Sequence, residues 1–149
     1  MTAALFSLTF AVAAPFWALM ILLPRWSWTH RIVSSPLIIV PPVLIYAALV
    51  LPAFGDVWAA VTAPTLAGVQ ALLGSSAGAA AGWAHFIAFD LFVGRWAYLD
   101  SRRRGVPALL MAPILVLTVL LGPLGALVHL GVRTGWNEPV PAEPVPATA

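Results

Sequence analysis

The chain reads as long apolar runs separated by short polar breaks. The first run, Thr2 to Leu23, carries no charge. About 20 residues at 1.5 Å each cross a hydrocarbon core near 30 Å, so this run predicts a transmembrane helix. A signal peptide would put a basic residue before the run and small residues after it. Here nothing basic precedes it and Pro24-Arg25-Trp26 follows. The second run, Ile32 to Leu51, holds Pro36, Pro41 and Pro42, which predicts a kinked span whose freed carbonyls are satisfied by neighbouring helices. From Ala53 to Ser76 the pattern weakens at Asp56, Gln70 and three glycines. A short amphipathic or re-entrant helix is expected around Leu66 to Leu73, with a fifth span as the alternative.

The third run, Ala77 to Leu99, ends in the basic turn Ser101-Arg102-Arg103-Arg104-Gly105. Pro107 then opens the fourth, which continues to Val132 with kinks expected at Pro113 and Gly122-Pro123. Residues 137–149 repeat Glu-Pro-Val-Pro-Ala and predict an extended, disordered tail. The expected fold is all-α: an integral membrane four-helix bundle over residues 2–134, with spans near 2–23, 32–51, 77–99 and 107–132.

Composition agrees with that pattern. Hydrophobic residues make up 62% of the 149 and charged residues 8%, against roughly 25% charged in a soluble domain. Cysteine is absent, which excludes disulfides and thiolate metal sites. The net charge of +2 comes from seven arginines and no lysine. They cluster between apolar runs, as orienting charges do, and form no face long enough to track nucleic-acid phosphates. Arg25 and Arg31 sit in the first loop and Arg102, Arg103 and Arg104 in the third. The positive-inside tendency then puts both loops in the cytoplasm and both termini outside. Four spans fit this alternation and five do not.

Candidate chemistry concentrates in the third run, at Trp83, His85, Asp90, Arg95, Trp96, Tyr98 and Asp100. A charge at membrane depth costs several kcal/mol, roughly 2.5–3.5 by insertion scales, so such residues face protein or water. At about 100° per residue, His85 and Asp90 lie roughly 140° apart, as do Asp90 and Arg95, so no tight triad forms within the helix. His85, Phe89, Phe92 and Trp96 fall near one line, an imidazole heading an aromatic stripe that packs against a neighbour or forms a slot for an apolar ligand. Asp90 shares its side with Trp83, Phe86, Gly94 and Ala97. The plain reading makes Asp90 and Arg95 ties between helices; the sharper one makes Asp90 a proton donor or acceptor, with His85 as its partner. His129 stands alone on the fourth run, where a hydrogen-bonded core histidine is the simpler account. No set of three or four convergent ligands for a metal appears, and nothing points to a cofactor.

The stretch Gly82-Trp83-Ala84-His85-Phe86-Ile87-Ala88-Phe89-Asp90-Leu91-Phe92-Val93-Gly94-Arg95-Trp96 closely resembles the abscisic-acid-deficient-four-like family of small membrane proteins. The likeness takes in Trp17, Pro24, Tyr46, Gly68, Asp100, Gly105, Pro113 and Leu121-Gly122-Pro123-Leu124-Gly125, about residues 3 to 134. That family is named for a plant plastid member needed to make neoxanthin from violaxanthin. This chain starts directly at its first helix, so a bacterial relative is expected. The resemblance implies a carotenoid or other isoprenoid lipid as ligand or substrate, alongside membrane lipid. If the protein is an isomerase, an allylic epoxide opens with loss of a proton, which needs one acid and one base. We assign Asp90 as acid, His85 as base and Arg95 to developing oxyanion charge, with Trp83, Phe89, Phe92, Trp96 and His129 as ligand-binding candidates. The alternatives are a non-catalytic lipid binder and a structural bundle. The chain has little room for a solute pathway unless a homo-oligomer supplies one.

Overall fold

Residue hydropathy and proline placement set where each helix begins and stops. In the computed structural model, which describes residues 1–136, eight α-helices account for nearly all of the chain, with no strand among the described residues. Helix α1 spans Thr2–Leu22 and α2 Ser27–Ser34. A 3₁₀ turn over Pro36–Ile39 leads into α3, Val40–Val50, and a second over Leu51–Ala53 leads into α4, Phe54–Thr62. Each turn has a proline in its first positions, where the missing N–H costs no hydrogen bond. Helix α5 covers Leu66–Gly74 and α6 Ser76–Arg104; α7 is Ala108–Leu120 and α8 Gly122–Arg133.

Three helical stretches are long and apolar enough to cross a membrane: Thr2–Leu22, Pro36–Thr62 and Ser76–Arg104. The second is longer than the sequence pattern predicts, because helix continues past Pro52 and through Asp56 to Thr62. The short helix expected around Leu66 to Leu73 is present as Leu66–Gly74, its N-terminus capped by Thr65 Oγ1 accepting from the Gly68 amide at 3.0 Å.

Helix α6 organises the rest. Its 29 residues run about 43 Å at 1.5 Å per residue. Ser75 caps its start, and Gly105 in the left-handed region (φ 71°) ends it. Helix α1 lies alongside it in the same direction: Phe6 stacks on Trp83, the Trp17 ring sits against Gly94, and Tyr98 donates a hydrogen bond to the Pro24 carbonyl at 2.9 Å. Helix α3 runs the opposite way, with Tyr46 beside His85 and Ile39 and Val43 near Phe89 and Phe92. The main core joins Trp17, Met20, Leu91, Tyr98, Met111, Ile114 and Leu115 from α1, α6 and α7.

The segment after Pro107 departs most from expectation. A single kinked span over 107–132 was predicted; the chain instead reverses. Helix α7 starts beside Leu22–Trp26 and climbs antiparallel to α1. Leu121 leaves the helical region (φ −147°, ψ 69°), Pro123 has no N–H to continue α7, and α8 returns along α6. Gly122 then lies against Asp90, His129 against Asp100, and the Trp136 carbonyl against Arg104. The two arms approach closely because Gly125 rests on the Thr118 backbone, where a Cβ would collide.

Thr2 lies at the Trp83 end of α6 and Trp136 at the Arg104 end, so these two described residues sit at opposite ends of that helix. Arg133, which a single span over 107–132 would carry to the far end, joins Arg104 at Asp100. The Pro-rich repeat expected to be disordered lies outside the described residues.

Candidate functional site

Polar groups on α6 fall into two sets. The first gathers at the arginine end around Asp100, whose side chain is 1% exposed. Arg104 Nε donates to both carboxylate oxygens at 3.0 Å. Arg133 approaches as a fork, Nε to Oδ2 at 3.1 Å and Nη2 to Oδ1 at 3.2 Å. His129 Nε2 lies 3.1 Å from Oδ2, and Arg103 reaches Oδ1 at 3.8 Å. The face of Trp96 completes the cluster, edge-on to His129 with centroids 4.9 Å apart and under the Arg133 guanidinium at 5.7 Å. His129 Nδ1 is buried and has no hydrogen-bond partner among the described residues.

The second set lies further along α6. His85 is exposed on the side facing α3, stacked on Phe89 at 4.6 Å and 5.6 Å from the Tyr46 ring. An apolar cavity of about 290 Å³ lies beside it, bordered by Tyr46, Val50, Leu73, Gly82, His85 and Phe86. A second, of about 240 Å³, follows along the same two helices between Ile39, Val43, Ala88, Phe89 and Phe92. The predicted aromatic stripe thus splits. Phe89 and Phe92 face outward beside α3, while Trp96 turns to His129. Trp83, another candidate, packs on Phe6 of α1, away from His85.

Asp90 is half-buried on another face of α6, against Gly122, and forms no hydrogen bond or ion pair with any described residue. Its carboxylate sits beside the N-terminus of α8, where the helix dipole favours negative charge. The structure does not bring Asp90 and His85 together. Arg95 is committed elsewhere: Nε donates to the Val33 carbonyl at 2.8 Å and Nη2 to the Ser34 carbonyl at 2.6 Å, capping the last turn of α2.

Sequence alone places Asp100 among the polar residues of the third run and His129 among the ligand-binding candidates without joining them, although the signal is there. Asp100 and Arg104, and His129 and Arg133, are each four apart and so share a helix face. Among the described residues no group of three or more acidic or imidazole side chains converges as a metal site would.

With this geometry in place, the comparisons decide the family. A family model described as ABA DEFICIENT 4-like matches residues 4–129. The chain belongs to that family. The match runs from α1 to His129, so the ABA DEFICIENT 4-like range takes in Asp90, the His85 groove and the Asp100–His129 contact, while Arg133 lies beyond it. Searches of the curated proteins and of the solved structures return no match.

Proposed function

We propose that this ABA DEFICIENT 4-like chain is a multi-pass membrane protein that binds a carotenoid or another isoprenoid lipid in the groove between α3 and α6. The three long apolar helices fit a membrane protein. In this reading they cross it, and α7 and α8 enter as a hairpin from the arginine side, which is cytoplasmic by the positive-inside rule. At the hairpin tip Gly122 is buried against Asp90 of α6, while Leu120, Leu121 and Leu124 turn apolar side chains outward. This topology replaces the four-span arrangement with both termini outside.

One observation carries the ligand assignment. Two apolar cavities follow one another along α6, the larger walled by α3, α4, α5 and α6 and the smaller by Ile39, α3 and α6, with the His85–Phe89 stack between them. From Gly78 to Phe92 the groove follows α6 for about 21 Å at 1.5 Å per residue, a length suited to an extended polyene or prenyl chain. His85 and Tyr46 are the polar groups bordering this otherwise apolar lining, so they would meet an oxygen substituent on the lipid.

A second reading, isomerase activity, uses the same groove. Tyr46 would donate its hydroxyl proton to an epoxide oxygen as the C–O bond breaks, and His85 would take the carbon-bound proton; returning that proton to the phenolate restores both. The 5.6 Å spacing of the two rings favours this pair over His85 with Asp90, which face different helices.

Production in hosts that make different carotenoids, purification in mild detergent, and pigment extraction test both readings. A co-purified, unchanged pigment that is lost in Val43→Trp supports binding, and an altered pigment supports the isomerase. A colourless preparation with unaltered host pigments and no extracted isoprenoid overturns both.

A further inference from the structure

Among the described residues, Arg103, Arg104 and Arg133 approach one carboxylate, Asp100, while Arg95 donates to the α2 carbonyls. Part of that charge is consumed by the Asp100 hub. Another part lines a separate cavity of about 400 Å³ between α2 and α6, bordered by His30, Ser34, Phe92, Arg95, Trp96 and Arg103. Arg95 spends Nε and Nη2 on the α2 carbonyls, which fixes the guanidinium plane and leaves Nη1 available. Arg103 is 64% exposed, its nearest acidic partner 3.8 Å away. His30 is exposed as well, with Nδ1 3.4 Å from Ser34 Oγ. In the tautomer in which Ser34 donates to Nδ1, Nε2 carries the proton and is a donor to a headgroup oxygen.

The floor of this cavity is not polar. Phe92 borders both it and the apolar 240 Å³ cavity along α3, and Trp96 adds a second aromatic wall. A cationic mouth therefore opens directly into an apolar track. Water-soluble anions use only the first part of such a site; a lipid with an anionic headgroup uses both.

We infer that the cavity between α2 and α6 binds the phosphate headgroup of an anionic lipid, held by Arg103, Arg95 and His30, with its chain passing Phe92 into the α3–α6 groove. The chain placement rests on the groove reading given above; the headgroup pocket rests on its own residues.

Native mass spectrometry of the full chain, exchanged into micelles containing phosphatidylglycerol or phosphatidylcholine, tests this. Retention of phosphatidylglycerol over phosphatidylcholine is expected, falling about fivefold or more in Arg103→Gln and less in His30→Gln. Arg25→Gln removes the same charge outside the pocket and should leave retention unchanged. Equal losses in Arg103→Gln and Arg25→Gln would mean general surface charge and overturn the pocket. Displacement of the lipid by inorganic phosphate would overturn the lipid assignment in favour of a free anion. Selective phosphatidylglycerol binding without any isoprenoid capture would sink the groove reading and keep the headgroup site. Isoprenoid capture without headgroup selectivity would do the reverse.

Discussion

Asp100 and Asp90 are ten residues apart on one helix and live in opposite circumstances. Asp100 is buried, yet its oxygens are met by two arginines and a histidine within 3.2 Å. Asp90 is half-buried and meets no described donor, only the Gly122 backbone at the tip of a helical hairpin. A saturated carboxylate is already spent on holding helices together: it ties α6 to α8 and fixes the hairpin's outer end. An unsatisfied one at membrane depth costs energy and returns none in packing. The comparison separates a structural charge from one available for chemistry, and substitutions can break it.

The largest effect is expected at the hub. Asp100→Ala leaves Arg104, Arg133 and His129 without their shared acceptor. Breaking a buried pair in this way costs about 3–5 kcal/mol. The hairpin should detach from α6, read as a lower thermal midpoint in detergent and faster proteolysis within 122–136. A variant as stable as the parent would mean the network is ornamental.

Packing comes next. The Trp17 ring occupies the space a side chain at position 94 would need. Gly94→Ala should therefore destabilise by about 1–3 kcal/mol, visible as altered Trp fluorescence and a lower midpoint. Gly94→Ala combined with Trp17→Phe should recover part of the loss; no recovery would place the strain elsewhere.

Arg95 stands between the two acids in both position and effect. Arg95→Gln removes a charged donor from two α2 carbonyls, worth about 1.5–3 kcal/mol for hydrogen bonds to a charged group. Because α2 is short and exposed, the change should appear first as faster amide exchange in Ser27–Ser34 and only weakly in global unfolding. Unchanged exchange there would mean α2 holds without its cap.

How much of this could be read from sequence depends on what each signal measures. Run length reports apolar residues, and it located α1 and α6 well because uninterrupted hydropathy has one common outcome. It failed at 107–132, where a 26-residue, largely apolar run is equally long enough for one kinked span or for two half-length arms. The distinguishing feature is local. Gly122-Pro123 stops α7, and Gly125 offers a bare surface to Thr118 seven residues earlier. Reading that turn as a kink also carries Arg133 away from Asp100, which it meets in the structure. The helical wheel fared better because it depends only on backbone geometry. The separation of His85 from Asp90 that it implies is the one observed, with α3 against the first and α8 against the second. What it could not supply is the identity of the facing helix, which is why Tyr46 could not be set beside His85. The role of Asp100 escaped for a similar reason: its spacing to Arg104 was visible, but a parallel α8 was not.

The smallest stability effect is expected at Asp90, and there the comparison is sharpest. Asp90→Asn removes no hydrogen bond to a described residue and gives up only a negative charge beside the α8 N-terminus, so stability should stay within about 0.5 kcal/mol. Asparagine is nearly isosteric, so the contact with Gly122 is kept and the hairpin tip should not move. Any functional loss is then chemical. If pigment conversion disappears in Asp90→Asn while His85→Phe and Tyr46→Phe retain it, the acid acts from the α8 side and the groove only binds. If conversion survives in Asp90→Asn and is lost in the other two, the reaction belongs to the groove, and Asp90 serves the N-terminus of α8. The same melting curves guard against a trivial outcome, since Asp100→Ala should lose function by losing the fold and Asp90→Asn should not.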